Sequence, residues 1–181
     1  MILPIYGYGQ AVLKRVAEEI PRDYEGLKDL IENMWETMYN ANGVGLAAPQ
    51  IGLSIRLFVI DTTQMFKDKD KGFKRVFINA QKVEETGADW GYEEGCLSIP
   101  DVRGEVDRPE SIVLRSMDEN FNESIETFDG INARVIQHEY DHTDGVLFVD
   151  KLSPVRKRLI RGKLAGMLKG KVTHDYRMRW K

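Results

Sequence analysis

The spacing of apolar residues changes along the chain, and each change predicts a different kind of element. Between Pro21 and Gly43 apolar residues recur every three to four positions, which predicts a helix with one face in the core. Asp23 is placed to cap its start and Gly43 to end it. The apolar face consists of Leu27, Leu30, Ile31, Met34, Trp35 and Met38.

Beyond this helix, short runs rich in β-branched and aromatic residues predict strands. A turn-forming segment, Asp-Glu-Asn-Phe-Asn at 118–122, separates the last two runs and predicts a hairpin. A patch rich in Lys and Asp at 67–72 has no apolar period and predicts an exposed loop. The predicted strands are 56–61, 75–79, 111–116 and 123–128.

After the last strand the helical period returns. Asp129 is a candidate N-cap, and Gly145 offers the left-handed conformation that commonly ends a helix. The residues that share one face of this predicted helix are apolar at its start and are histidines further along. These residues are Ile131, Val135, His138 and His142.

The order of these elements favours one fold class. A last helix is predicted from Pro154, which suits a first helical turn, to about Lys169. Strands in the first two thirds and helices at both ends favour an α+β domain over alternating βαβ units. We expect a single domain with antiparallel or mixed β-sheets around the histidine-bearing helix. Residues 1–153 would form its catalytic body, and 154–181 a basic C-terminal helix and tail.

Composition sets limits on this picture. A chain of 181 residues, 42% hydrophobic and 30% charged, suits one globular domain with a substantial core. There is no basic leader and no run of eighteen apolar residues, so we expect a cytoplasmic monomer without a membrane partner. The single cysteine, Cys96, cannot form an internal disulfide and leaves a thiol for other chemistry.

Charge is distributed unevenly along the chain. Residues 154–181 hold ten Lys or Arg against Asp175 alone, a net charge of +9, so the remaining residues carry −12 of the overall −3. Such an arm either contacts an anionic partner, such as nucleic acid, or is the solvated face of a helix. Charge alone does not separate these two interpretations.

The candidate chemistry is concentrated in the segment His-Glu-Tyr-Asp-His at 138–142. Its two imidazoles are four residues apart, which places them on one helix face about 5–6 Å apart at Cβ, close enough to bind one metal ion. This HExxH pattern is a metal-hydrolase signature. Glu139 is rotated about 100° from His138, so its carboxylate can face water without ligating the ion.

A catalytic site of this kind needs a third protein ligand. No glutamate follows Glu139, which excludes a downstream glutamate as the third ligand. The position of a downstream third histidine holds Phe148, which excludes that ligand as well. Upstream, Cys96 lies in a Glu-Gly-Cys-Leu-Ser segment, and a thiolate is a strong ligand for such an ion. The remaining downstream candidates are Asp144, Asp150, His174 and Asp175. The last two, in the tail, are expected to be remote.

Three segments together resemble the peptide deformylase family. Residues 43–50, 94–98 and 137–142 match its GxGxAAxQ, EGCLS and QHEYDH motifs in the same order. The match extends from the first residues to about Leu152. Thr143 departs from the leucine that the family commonly has after the second histidine, at a position that flanks the site.

The resemblance implies catalytic roles for the matched residues. Glu139 would be the general base that takes a proton from water and then the acid that returns it to the leaving amine. The Gln50 side-chain amide and the backbone N–H of Leu97 would stabilise the oxyanion. The metal ligands would be Cys96, His138 and His142, with water in the fourth position.

Substrate contacts follow from the same resemblance. Gly45 lies in a thin segment of glycine and alanine whose backbone can approach a peptide closely. Glu94 is expected to orient a ligand or its water and is counted with the substrate-contacting residues. Arg134 falls where some relatives have an apolar residue. The pocket for the terminal methionine would be lined by Val44, Tyr92, Ile131 and Val135.

The resemblance also implies a reaction, the hydrolytic removal of formyl groups from N-formylmethionyl peptides with release of formate. Ferrous iron would be the native ion, and zinc, nickel or cobalt substitutes. The basic tail could serve at the ribosome, where the substrate emerges. One alternative is an amidase or peptidase acting on another N-acyl group. Another is an RNA-binding module with a structural ion, which would need a fourth protein ligand such as Asp144.

Overall fold

The computed structural model describes residues 1–172 and 174–180. In these residues the helices are α1 (Leu27–Asn40), α2 (Gly130–Thr143) and α3 (Pro154–Leu168). The strands are β1 (Ile5–Tyr6), β2 (Gly45–Ala47), β3 (Leu57–Asp61), β4 (Lys74–Cys96), β5 (Ile99–Met117), β6 (Glu123–Asp129) and β7 (Met178–Arg179). An antiparallel sheet has the order β2-β3-β4-β5-β6, and β1 pairs in parallel with β7. The predicted α+β class is confirmed.

Strand β3 is covered on both faces, and this fixes the position of α2. Because side chains alternate along a strand, its residues contribute to two cores. Val59 packs in one with Met34 of α1, whereas Phe58 packs in the other with Ile136 of α2. Burying a side chain such as Phe58 contributes roughly 2 kcal/mol. Helix α2, which carries both histidines, is therefore held against the centre of the sheet.

The predicted strands 75–79 and 111–116 are only the ends of two much longer strands. Strand β4 continues to Cys96, and β5 begins two residues later, at Ile99. The part that the prediction missed is rich in charged residues and glycines, and irregularities interrupt its register. Pairing between the two strands, which a local pattern does not reveal, supplies the stabilising hydrogen bonds. This hairpin delivers Cys96 to the site.

Both ends of α1 differ from the prediction. Asp23 does not cap the helix, because Gly26 occupies the N-cap position in a left-handed conformation (φ 73°). At the other end, Asn42 adopts positive φ (54°), and the Gly43 N–H donates to the carbonyl of Met38 at 2.9 Å. The helix therefore ends at Asn40, three residues before the predicted glycine.

The later elements agree closely with the sequence pattern. Asp129 occupies the N-cap position of α2, although its carboxylate accepts a hydrogen bond from Ser111 instead of capping. Gly145 has the predicted positive φ (73°) just after this helix. Helix α3 starts at Pro154 as predicted, and the Ser153 hydroxyl caps it by accepting from the Arg156 N–H at 3.2 Å. Among the described residues, every helix is too short or too polar to cross a membrane.

Candidate active site

The three predicted ligands come together from two distant elements. His138 and His142 are one turn apart on α2, and Cys96 ends β4 beside them. One ligand atom from each residue lies within 4.8 Å of the other two, and the Cys96 Sγ to His142 Nε2 distance is 3.3 Å. One thiolate and two imidazoles are donors that suit a divalent ion of the later first transition row. These residues can therefore hold such an ion.

The alternative ligands have other partners. The Asp144 carboxylate accepts from the Arg56 guanidinium at 2.9 Å, and the Asp150 carboxylate accepts from the Lys14 ammonium at 2.5 Å. The expectation that the two tail candidates would be remote from the site is wrong. His174 and its neighbour Asp175 line the same cavity as the ligand group, because the chain turns back after α3.

A buried ion-pair network orients the first histidine. The His138 Nδ1–H donates to the Glu94 carboxylate at 2.9 Å, which leaves Nε2 free to bind an ion. Arg108 donates to both oxygens of the same carboxylate, and Arg134 donates to one. Burial opposes ionisation, but the hydrogen bonds from His138 and Arg108 outweigh it and lower the pKa of Glu94. Glu94 thus supports a ligand from a position that is only 5% exposed.

Glu139 lies on α2 next to His138 and is 4% exposed. Burial raises the pKa of its carboxyl to about 7, although the nearby His138 acts in the opposite direction. Its Oε2 has no hydrogen-bond partner among residues 1–172 and 174–180. A group that gains and loses a proton near neutral pH is suited to general acid–base chemistry.

Gly45 leaves the space that the Glu139 carboxylate occupies. A Cβ atom at this position would lie 2.4 Å from Oε1 of Glu139. Real atoms do not approach so closely, and β2 is buried between neighbouring elements, so the carboxylate would have to move. The glycine is therefore required by the position of the carboxylate itself.

We expect Gly45→Ala to lower at least tenfold the rate of any hydrolysis that uses the Glu139 carboxylate, because a displacement of about 1 Å can cost about 100-fold. Gly162→Ala is the matched control, since a methyl group added there in α3 would meet no described atom within 4 Å outside the neighbouring backbone of its own helix. Steady-state kinetics with metal analysis of both variants checks this. Equal rates for Gly45→Ala and the control would contradict it.

The two residues assigned to the oxyanion lie beside the ligand group. The Gln50 side chain is 1% exposed, and its Nε2 lies 3.4 Å from Cys96 Sγ and 3.3 Å from the Ser98 hydroxyl. Its Oε1 accepts from the Ala47 N–H at 2.9 Å, which fixes the amide orientation so that Nε2 points towards the sulfur. Leu97 directly follows Cys96 in the turn to β5 and lines the cavity.

A cavity of about 680 Å³ opens above these residues, large enough for a short peptide. Of the four predicted pocket residues, Val44, Tyr92 and Val135 line it, whereas Ile131 does not. Ile131 is one further helical turn away from the histidines, beyond the reach of the cavity. This face of α2 thus contributes less of the wall than its periodicity suggested.

Arg134 also lines the cavity and is only 2% exposed. Its guanidinium stacks over the Trp90 ring at 4.5 Å and donates to the carbonyl oxygens of Trp90 and Val106. These contacts and the ion pair with Glu94 offset only part of the cost of burying its charge, since burial still lowers the pKa of Arg134 and its Nε has no hydrogen-bond partner among the described residues. No local pattern indicates this ion pair, because Arg134 and Glu94 are 40 residues apart in the chain.

The domain has an α+β fold, and a thiol and the two HExxH imidazoles lie beside a buried carboxylate under an open cavity. This combination is typical of the class of hydrolases with a metal-binding HExxH helix. The sequence model described as polypeptide deformylase matches residues 2–158. The chain belongs to this family of hydrolases.

Relatives match over nearly the whole chain. A peptide deformylase of Flavobacterium johnsoniae is 55% identical, over 99% of this chain and 96% of the relative. A peptide deformylase of Cytophaga hutchinsonii is 51% identical, over 99% and 98%. A crystal structure of the Plasmodium falciparum enzyme superposes with a TM-score of 0.84 at 34% identity, covering 92% and 95% of the two chains. One from Synechococcus elongatus, in complex with actinonin, gives 0.82 at 36% identity, covering 98% and 92%.

Proposed function

We propose that this protein hydrolyses the N-formyl group of nascent polypeptides that begin with formylmethionine, releasing formate and a free amino terminus. In this reaction a water oxygen bonds to the formyl carbon, the carbon–nitrogen bond breaks, and the departing nitrogen takes up a proton. The observation that carries the proposal is the convergence of Cys96, His138 and His142 beside Glu139. Family membership supports the same reaction.

The ligand group would hold a divalent ion, and we propose ferrous iron as the native one, with zinc, nickel or cobalt as substitutes. When bound, such an ion supplies Lewis acidity, which makes water more acidic and polarises a carbonyl. The mixed sulfur and nitrogen donor set suits all of these ions. The Glu94 carboxylate keeps the His138 ring in the orientation that presents Nε2 to the ligand group.

Glu139 would move the proton. Its carboxylate takes a proton from the attacking water and delivers it to the amine nitrogen as the carbon–nitrogen bond breaks. The space next to Gly45 lets its Oε1 lie against the chain segment that faces the cavity. Burial keeps bulk water from competing for the proton during the two transfers.

Gln50 and Leu97 would stabilise the negative charge that develops on the formyl oxygen. The fixed amide of Gln50 and a backbone N–H are preorganised donors, and removing one such donor typically costs 100- to 1000-fold in rate, in order of magnitude about 3–4 kcal/mol. The backbone of Val44 and Gly45 would hold the peptide. Tyr92 and Val135 would contact the methionine side chain.

A comparison of N-formyl and N-acetyl Met-Ala-Ser distinguishes this function from that of a general N-acyl amidase. We expect release of formate from the first peptide and a much lower rate of acetate release from the second. Both products are measured with the same purified protein. Faster acetate release would contradict the proposal and favour the amidase.

We also propose that the protein works in the cytoplasm and that α3 contacts ribosomal RNA. Lys157, Arg158 and Arg161 are exposed on this helix, where anionic partners can reach them. Replacing all three by glutamine in the full chain should reduce ribosome co-sedimentation while peptide deformylation in solution stays unchanged. Co-sedimentation equal to that of the wild type would remove the ribosome from the proposal.

A further inference from the structure

The C-terminal segment, residues 174–180, is anchored on the N-terminal strand. The Ile5 N–H donates to the Arg177 carbonyl at 2.9 Å, and the Gly7 N–H donates to the Arg179 carbonyl at 3.0 Å. The Trp180 ring packs so closely on Gly7 that a Cβ there would lie 2.2 Å from it. These contacts fix the segment on a small two-stranded unit formed by both ends of the chain.

From this anchor, the unit reaches the turn that follows the cysteine ligand. The Tyr176 hydroxyl donates to the Leu97 carbonyl at 2.7 Å. The Tyr8 N–H, two residues after the end of β1, donates to the Ser98 carbonyl at 2.9 Å. Leu97 and Ser98 are the only two residues between Cys96 and the next strand. Both carbonyls of this turn are therefore held by the same unit.

Tyr176 lies where this turn borders the cavity. It lines the cavity, and its ring lies against that of His174 with centroids 5.9 Å apart. Burial is the main cause that raises the pKa of Tyr176 above its ordinary value, so its hydroxyl stays protonated and remains a donor. The Leu97 side chain packs next to Gly43, where a Cβ atom would lie only 2.7 Å from it.

We propose that Tyr176 is a positioning residue for the deformylation reaction. It holds the Leu97 carbonyl and so restrains the φ and ψ angles of Leu97, which set the direction of the N–H of the same residue relative to that carbonyl. The inference rests on the proposed function and extends it to the C-terminal segment. A preorganised donor loses effectiveness when its backbone can move, because it must then be reordered in each transition state.

Tyr176→Phe in the full chain removes the hydroxyl and keeps the ring. We expect kcat to fall about fivefold, the equivalent of one hydrogen bond, with KM within about twofold of the wild type. Metal content should be unchanged. Tyr24→Phe is the matched control and should keep the wild-type kcat, since Tyr24 is half-buried against the core and is not among the residues that line the cavity.

Amide hydrogen exchange gives a readout that does not depend on turnover. Peptides that contain Leu97 and Ser98 should exchange faster in Tyr176→Phe than in the wild type or the control. If Tyr176→Phe has the kcat of the wild type, the inference about Tyr176 is overturned. The proposed function still stands in that case, provided that the wild-type protein releases formate. A lower kcat that follows loss of metal overturns it as well. A wild-type protein that releases no formate removes the proposed function itself.

Discussion

Glu139→Gln is expected to retain its metal and fold but lose about 1000-fold in kcat. General acid–base catalysis contributes about 100- to 10,000-fold, and Gln has nearly the same shape as Glu but cannot accept and return a proton. The side chain is 4% exposed and does not belong to the ligand group, so the substitution should leave the three ligands in place. Formate release and metal content measured on one preparation check both parts.

A carboxylate elsewhere in the same cavity serves as the control for Glu139. Glu93 lines the cavity but is exposed, and it pairs with the Arg103 guanidinium at 3.1 Å. Glu93→Gln removes the same charge from the same cavity without touching the proposed proton path, so its kcat should stay within about threefold of the wild type, as expected for a surface pair. A Glu139→Gln variant that turned over at the rate of this control would remove Glu139 from the mechanism.

Cys96→Ala is expected to lose both the ion and the activity. Loss of a residue that only supports a ligand typically weakens metal binding about 10- to 100-fold, and loss of a ligand should cost more. Because an ion that binds only the folded protein stabilises it, adding the ion should raise the melting temperature of the wild type but not that of the variant. Metal analysis after dialysis and thermal denaturation with and without added ion measure the two effects.

The control for this variant tests a competing ligand. Asp144→Asn keeps a hydrogen-bonding side chain opposite Arg56, and it removes the residue that a structural, four-ligand site would have needed. Its metal content should equal that of the wild type. Metal loss in Asp144→Asn, with retention in Cys96→Ala, would reverse the ligand assignment and favour a structural ion.

The site could be predicted from the sequence mainly where its chemistry is local. The spacing of the two histidines is enough to predict a pair of metal ligands, because a helix places residues four apart on the same face. Cys96 was singled out by the chemistry of its side chain and by the segment around it. The structure then placed its sulfur 3.3 Å from His142 Nε2, which no local pattern could establish.

The features that the sequence did not predict depend on pairing between distant segments. Most of the β4–β5 hairpin lacks a strand-like pattern because it is charged and interrupted by irregularities. The Glu94 carboxylate accepts hydrogen bonds from Arg108 and Arg134. In the sequence, each of these three residues looks like an ordinary charged surface residue. The tail returns to the cavity because strand β7 pairs with β1 at the other end of the described chain. Charge counting alone gave no information about where this tail lies.

The most direct test of the ligand group and its role is formate release from formyl-Met-Ala-Ser before and after removal of the ion. Protein purified without oxygen would be treated with a chelator, dialysed, and supplied with ferrous iron or zinc in separate samples. We expect the stripped protein to be inactive and ferrous iron to restore the rate. Full activity in the stripped protein would contradict a metal-dependent mechanism, and full activity of zinc-only protein as purified would contradict iron as the native ion.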